Sequence, residues 1–361
     1  MINYRKKTNN KSPVLEQTIK SKKHIEIVAV ENTGMNETGF GSLDTCEGFL
    51  EILKTRHETV IFNEVHSEKC LNAIIKRKPD AVVLCMNHIH DKQQKDKIWL
   101  SEFFSRNNIP FTGSQHQALL HDVDKVSAKN AVIEAGISTP KFFVADPDSI
   151  TSEAYMPFPF PVFVKPLGTA NGNGIDENSF VHNFVSFRKK VADLHDKYNS
   201  SSLVEEVLPG REYTVAILEN SKTGRLTISP IEIVVPVNLR GDRMLGQTEK
   251  ADNCEALYRV PEPIFSEIST FAEKVFRALG ARDFARIDIR LDSLGTPNFL
   301  EANLSPGMTP KTSYFPRALE ISAGMTYKEV LLQMIDAAFK RNEPVMRPNT
   351  HHQERLLRGV V

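Results

Sequence analysis

The chain has 361 residues, enough for two or three domains with hydrophobic cores. Its 45 Lys and Arg residues balance 45 Asp and Glu residues, so net charge gives no support to a nucleic-acid partner. No apolar run approaches the roughly 20 residues of a membrane span, so we expect no membrane partner. The four cysteines lack the C-x-x-C spacing of a zinc site and do not suggest a disulfide framework, so a cytoplasmic location is expected.

Both ends of the chain are polar. Residues 1–23 are basic and lack the apolar segment of a signal peptide, which predicts a disordered tail. Residues 341–361 contain Pro344, Pro348 and two adjacent histidines, and they predict a flexible tail.

Residues 24–114 alternate between strand and helix patterns. Apolar spacing predicts strands over 24–30, 59–62 and 80–85, and helices over 42–54, 70–76 and 98–106. This alternation is typical of a small parallel α/β domain.

Residues 115–205 form a second pattern, with a glycine-rich loop at its centre. Helices are predicted from Asp124 and Lys125 to Gly136 and over 184–198, and strands over 141–144, 160–165 and 202–206. The third part, 206–340, is rich in strands. It has strands over 212–217 and 228–235, a hairpin over 285–303, and helices over 264–278 and 326–339. The predicted fold class is therefore α/β with α+β character, in three domains.

The hairpin carries three oxygen ligands. Glu301 and Asn303 lie two residues apart, so their side chains share one face of a strand, and Asp288 on the neighbouring strand can point to the same side. Two carboxylates and an amide oxygen are hard ligands that suit Mg²⁺ beside a nucleotide. The alternative is a solvated hairpin face, which the apolar neighbours Ile287 and Ile289 disfavour because buried acids need a partner.

A lysine and a glycine-rich loop lie together in the second part. Lys165 ends an apolar strand, and the loop 168–174 supplies backbone N–H groups without Cβ obstruction, which is suited to phosphate. The loop alone is equally consistent with a flexible turn, and it matches neither a Walker A loop nor a Rossmann fingerprint.

Two further segments suit a nucleotide. The strand that ends in Glu205 and Glu206 turns at Pro-Gly, where it could present backbone groups to an adenine edge, and Glu212 could accept ribose hydroxyls. In isolation this segment favours an ordinary strand–turn–strand. Arg286 shares the face of Asp288, where a guanidinium could stabilise a phosphoryl group or an oxyanion, neutralise the acids, or do both.

The order of these elements resembles that of the ATP-grasp ligases. The sequence motifs from about residue 109 to 339 resemble those of the D-alanine–D-alanine ligase family. The resemblance is carried by Thr112-Gly-Ser, Asp124-Lys125, Val164-Lys-Pro166, Val204-Glu-Glu, Glu212-Tyr-Thr-Val-Ala-Ile217 and Leu300-Glu-Ala-Asn-Leu-Ser-Pro-Gly-Met-Thr309. It implies an ATP-grasp fold, ATP and two Mg²⁺ ions (or Mn²⁺) as cofactors, small amino-acid-type substrates, and a homodimer.

The resemblance also implies roles for individual residues. ATP would be bound by Lys125, Lys165, Gly172, Gly174, Glu205, Glu206, Leu208 and Glu212, with Lys250 also on the phosphate. The metal ligands would be Asp288, Glu301 and Asn303. The oxyanion site would be Arg286 and the Gly307 amide. The substrate residues would be Glu37, Asn171, Lys311, Thr312 and Ser313.

Several positions depart from the family pattern. The Ser-Ser pair of the glycine-rich loop is Asn171 and Gly172, and the Tyr after the phosphate-loop lysine is Ala251. The Gly-Gly-x-Ser-x-Glu signature becomes residues 32–37, and the His-Gly-x-x-Gly-Glu-Asp segment becomes residues 88–95. The ATP residues are therefore retained while the amino-acid pockets differ.

These features favour an ATP- and Mg²⁺-dependent carboxylate–amine ligase that works through an acyl phosphate and has specialised substrates. One alternative is a D-alanine–D-alanine ligase of cell-wall synthesis. Another, from a different class, is a nucleotide-binding pseudoenzyme, which the lost serine pair and Tyr suggest. A ligase that acts on a carrier or peptide is a third alternative, suggested by the basic tails.

Overall fold

The computed structural model describes residues 20–30, 39–90, 97–168, 173–236 and 255–341. Apart from residues 20–23 and 341, the predicted tails lie outside these ranges, so their disorder stays a prediction; residues 21–23 belong to a strand, so the predicted end of the first tail at residue 23 was wrong. None of the described helices is both long enough and apolar enough to cross a bilayer.

The first part of the chain contains a three-stranded parallel sheet. Its strands are β1 (Ser21–Ala29), β2 (His57–Glu64) and β3 (Ala81–Leu84), in the order β2-β1-β3. The helices are α1 (Leu43–Lys54), α2 (Glu68–Arg77) and α3 (Leu100–Arg106). The predicted parallel α/β arrangement is thus present. A short hairpin of β4 (His88–His90) and β5 (Lys97–Trp99) was not predicted, because three-residue strands carry too little periodicity to identify.

The predicted helix that begins at Asp124 and Lys125 is α5 (Lys125–Glu134), and a separate helix that was not predicted, α4 (His116–Val123), precedes it. Asp124 has an extended backbone, with φ −110° and ψ 96°, and its carboxylate accepts the N–H groups of Val126 and Ser127. A side chain that caps the next helix in this way stabilises the break. Lys125 consequently begins a helix.

A four-stranded antiparallel sheet follows. Its strands are β6 (Phe142–Ala145), β7 (Val162–Pro166), β8 (Phe180–Val181) and β9 (Ser202–Glu206), in the order β6-β9-β7-β8. Helix α6 (Phe184–Tyr198) covers one face, where Phe187, Val191 and Leu194 pack in a common core with Val162 and Val204.

A five-stranded antiparallel sheet forms the largest part. Its strands are β10 (Glu212–Glu219), β11 (Leu226–Val234), β12 (Ala256–Arg259), β13 (Phe284–Leu291) and β14 (Pro297–Asn303), in the order β12-β11-β10-β13-β14. Helix α7 (Ile264–Ala278) packs with α4 and α5 on one face. Helices α8 (Tyr314–Ala323) and α9 (Tyr327–Lys340) pack on the other, in a core shared with the parallel sheet.

Helix α8 was not predicted. It follows Ser313, carries Pro316 in its first turn, and ends at Gly324 with φ 69°. Pro is tolerated in a first turn because those N–H groups have no intrahelical partner. The apolar spacing of Phe315, Ala318 and Leu319, with glycine after the last turn, was an available signal.

Candidate nucleotide and metal site

A cleft lies between the four-stranded and five-stranded sheets. Nine of the residues named from the sequence line it: Lys125, Lys165, Glu205, Glu206, Leu208, Glu212, Asp288, Glu301 and Asn303. The structure therefore brings the predicted ATP and metal residues into one space.

The register of β13 and β14 arranges the predicted metal ligands. Asp288 lies opposite Glu301, and Arg286 lies opposite Asn303. A β-bulge after Asp288 then places Phe299 opposite Ile289, and both of these side chains are fully buried in the core. Residues two positions apart on a regular strand share one face. Because the bulge interrupts that alternation, Phe299 is buried in the core while Glu301 lines the cleft.

The chemistry of this triad fits a magnesium ion. Asp288 and Glu301 are like charges on directly opposed residues, which destabilises a sheet unless a cation neutralises them. Two carboxylates and an amide are the hard oxygen ligands that Mg²⁺ takes.

Arg286 holds Asp288 in place. Its Nε and Nη2 atoms donate to the two oxygens of Asp288 at 3.1 and 2.9 Å, and Thr214 Oγ1 donates to the same carboxylate at 2.6 Å. Burial opposes charge on the Arg286 guanidinium, but Asp288 outweighs burial and raises its pKa. Arg286 therefore remains a fixed cation beside the predicted metal triad.

Glu205 lies between two lysines at the other side of the cleft. Its Oε1 is 2.6 Å from Lys129 Nζ, and its Oε2 is 2.7 Å from Lys165 Nζ. Burial opposes ionisation of Glu205, yet the two lysines lower its pKa; burial likewise opposes charge on Lys165, whose pKa Glu205 and Glu301 raise. The Glu205 side chain thus faces the lysines, and its backbone is what remains for the predicted adenine contact. Sequence reasoning missed Lys129, although its position four residues after Lys125 on one helix face was a signal.

Lys125 enters the same end of the cleft from the first turn of α5. Its Nζ lies 3.5 Å from the carbonyl oxygen of Leu167, next to the glycine-rich loop. Burial lowers the pKa of Lys125, and Glu301 partly opposes that shift. A phosphate at this place would meet positive charge from both Lys125 and Lys165.

The residues predicted for adenine and ribose also line the cleft. The Glu206 carboxylate accepts the Lys141 N–H at 2.9 Å, and Leu208 is buried. Glu212 accepts from Arg290 Nη1 at 3.2 Å. Arg290 was also missed, although it is two residues after Asp288 and shares that strand face.

Gly174, the last residue of the glycine-rich loop, packs against Pro166 at the end of β7. Its φ is +80°, and a Cβ at this position would lie 2.7 Å from Pro166 Cγ. Only glycine fits both the conformation and the space.

Four of the predicted site residues lie outside the described part of the chain: Glu37, Asn171, Gly172 and Lys250.

Two of the predicted oxyanion and substrate residues, Gly307 and Ser313, lie close together after β14, and neither lines the cleft. Ser313 Oγ accepts the Thr309 N–H at 3.0 Å, and a Cβ on Gly307 would lie 2.8 Å from that oxygen. Lys311 and Thr312 are exposed and do not line the cleft.

Tyr314 is a lining residue that sequence reasoning missed. Its ring centroid lies 5.7 Å from Arg286 Cζ and 5.9 Å from Arg317 Cζ. Burial, together with the Glu255 carboxylate, raises the pKa of Tyr314, so it stays neutral. Its ring forms a wall of the cleft beside Arg286.

Comparison with known sequences agrees with this geometry. A family model described as the D-ala D-ala ligase C-terminus matches residues 132–336. The D-alanine–D-alanine ligase of Bordetella petrii is 31% identical over 238 residues, covering 65% of this chain and 70% of that protein. The corresponding ligase of Methylacidiphilum infernorum is 27% identical over 318 residues, covering 87% and 96%. The uncharacterized protein y4sG of Sinorhizobium fredii is 29% identical over 236 residues, covering 64% and 67%.

Solved structures share the fold. The D-alanine–D-alanine ligase of Bacillus anthracis complexed with ATP has a TM-score of 0.67 at 19% identity, covering 88% of this chain and 98% of that one. The VanG D-Ala:D-Ser ligase of Enterococcus faecalis has a TM-score of 0.65 at 21% identity, covering 88% and 100%. The ATP-grasp fold that the sequence predicts is confirmed.

Proposed function

Because this chain belongs to the D-alanine–D-alanine ligase family and is an ATP-dependent C–N ligase, we propose that it joins the carboxylate of one amino-acid-type substrate to the amine of another through an acyl phosphate. The observation that carries this proposal is one cleft with three parts. Lysines lie at one side, the Asp288–Glu301–Asn303 triad lies opposite, and Arg286 lies beside that triad.

The first step is phosphoryl transfer. A carboxylate oxygen of the first substrate attacks the γ-phosphorus of ATP, the bond to the ADP oxygen breaks, and an acyl phosphate forms. Lys125 and Lys165 hold the phosphates by charge, which is the main contribution a protein makes to this chemistry. Mg²⁺ on Asp288, Glu301 and Asn303 would supply neutralisation of the phosphate charge.

The second step is amide formation. The amine of the second substrate attacks the acyl carbon, an oxyanion develops, and phosphate leaves with the oxygen that came from the carboxylate. Arg286 and the Gly307 N–H are the donors assigned to that oxyanion. Ser313 is assigned to the carboxylate of the second substrate. It lies next to Gly307, where an added Cβ would be 2.8 Å from Ser313 Oγ.

Isotope transfer tests the acyl phosphate. The enzyme is given ATP, Mg²⁺ and amino acids labelled with ¹⁸O in the carboxyl group, and the phosphate is analysed by mass spectrometry. The expected result is one ¹⁸O per phosphate released. Unlabelled phosphate alongside amide product would contradict the acyl-phosphate route.

We further propose specialised substrates, because Asn171, Gly172 and the segments 32–37 and 88–95 depart from the family's sequence pattern. The names of the relatives favour the second candidate, D-alanyl-D-alanine synthesis. A screen of ADP release across D- and L-amino acids separates the two. A dominant rate with D-alanine, with D-alanyl-D-alanine as product, would reject specialisation.

A further inference from the structure

Lys129 is a fully buried lysine with a defined set of contacts. Its ammonium lies 2.6 Å from Glu205 Oε1 and donates to Thr139 Oγ1 at 2.7 Å. It also lies 5.4 Å from the centroid of the Phe142 ring. Lys129 does not line the cleft. It therefore has no position from which to touch a nucleotide directly.

The positive charge of Lys129 is not needed to neutralise Glu205. Lys165 and Glu205 form a neutral pair by themselves, at 2.7 Å. A second buried ammonium carries a desolvation penalty, and it is retained only where its charge is compensated or used. With Lys129 present, one carboxylate is shared by two ammonium groups, and the trio carries a net charge of one positive unit.

The contacts of Lys129 also join the two sheets that form the cleft. Thr139 Oγ1 accepts from Lys129 and donates to the carbonyl oxygen of Phe299 at 2.8 Å. Phe299 lies on β14, two residues before Glu301. A continuous series of polar contacts thus runs from the metal strand through Lys129 and Glu205 to Lys165.

We propose that Lys129 is a positioning residue that acts on the ATP phosphates indirectly, through its contact with Glu205. By taking a share of the Glu205 carboxylate, it leaves Lys165 with positive charge for the phosphate and fixes that lysine relative to β14. The proposal deepens the function proposed above and rests only on the part of it that concerns ATP binding.

A charge-exchange experiment tests the proposal. Titration calorimetry measures MgATP affinity of the full chain without amino acids, so amide formation plays no part. Lys129→Met removes the extra positive charge, and we expect at least tenfold weaker binding. The double variant Lys129→Met/Glu205→Gln leaves Lys165 as a lone cation and restores one positive unit. We expect its affinity to return to within threefold of the unsubstituted protein.

A matched control is Arg77→Met, which removes the partner of another buried carboxylate. Arg77 Nε lies 2.6 Å from Glu26 on β1, in the parallel sheet and outside the cleft. This variant should lose thermal stability and keep its MgATP affinity.

Three results would overturn the proposal. One is a cooperatively melting Lys129→Met protein that binds MgATP within twofold of the unsubstituted chain. Another is a double variant that binds no better than Lys129→Met. If Lys129→Met does not fold, Glu205→Gln is titrated instead. Lys165 then keeps its full positive charge, so we expect MgATP to bind at least as tightly as to the unsubstituted chain; tenfold weaker binding would overturn the proposal. Absence of amide product with every amino acid would instead count against the proposed function and leave these titrations readable.

Discussion

Replacement of Arg286 separates its two roles, because one belongs to the fold and the other to the reaction. Arg286→Met removes both hydrogen bonds to Asp288, which measure 3.1 and 2.9 Å, and also removes the cation beside Tyr314. Arg286→Lys keeps a charge and loses the planar fork that binds both carboxylate oxygens.

The structural loss follows from the burial of the pair. Removing one partner of a buried ion pair destabilises a protein by about 3–5 kcal/mol. Here the Arg286 and Asp288 side chains keep 12% and 15% exposure, and Thr214 still donates to Asp288 at 2.6 Å. We therefore expect Arg286→Met to lower the free energy of unfolding by about 2–3 kcal/mol, below that range. Saturating MgATP should recover most of the loss, because Mg²⁺ replaces the missing positive charge on Asp288.

The catalytic loss should not be recovered. Loss of one oxyanion donor lowers kcat by about 10²–10³-fold. The assay pairs thermal melts, with and without MgATP, with ADP release at saturating substrates, and we expect Arg286→Lys to lie between the two proteins. An Arg286→Met enzyme that retains kcat within tenfold would refute the oxyanion assignment, whatever its stability.

Three further predictions concern other parts of the chain. Glu301→Gln should raise the Mg²⁺ concentration for half-maximal ADP release at least tenfold, and an unchanged Mg²⁺ titration would reject Glu301 as a ligand. Gly307→Ala places a Cβ 2.8 Å from Ser313 Oγ and should destabilise by about 1–3 kcal/mol in thermal melts; Gly307→Ala/Ser313→Ala should recover part of this, and an additive double variant would show that the contact is not responsible. Burial lowers the pKa of His57 to about 4, so the unfolded chain binds a proton that the native chain lacks between about pH 6.5 and 4, and stability should fall as pH falls through that window. Urea unfolding at pH 7 and pH 5 should show a smaller pH effect in His57→Gln, and an equal effect in both proteins would assign the dependence to other groups.

The fold was predictable where periodicity is long. Helices α6 and α7 match the predicted ranges 184–198 and 264–278, because each carries an apolar face over four turns. Helix α4 was not predicted, since it is too short for apolar periodicity to stand out. The strands β4, β5 and β8 have two or three residues, too few for two-residue alternation to stand out.

The candidate site was predictable where chemistry and local geometry coincide. Side chains two residues apart on a strand share a face, so Arg286 with Asp288, and Glu301 with Asn303, could be grouped from the sequence. The role of Glu205 could not be read in the same way. Its position beside an adenine-type turn suggested a contact with the base, and its burial between Lys129 and Lys165 depends on a helix and two strands that meet only in the folded chain.

The sequence by itself therefore determined the inventory of the site: the predicted oxygen ligands of one hairpin, Lys165 near the end of β7, and Gly174 at the end of the glycine-rich loop. These are local properties, since they follow from side-chain alternation and backbone conformation. Only the tertiary structure decided which charges are paired. The bulge that separates Phe299 from Glu301, the wall formed by Tyr314, and the sharing of Glu205 by two lysines all depend on strand register and burial, which no short stretch of sequence contains.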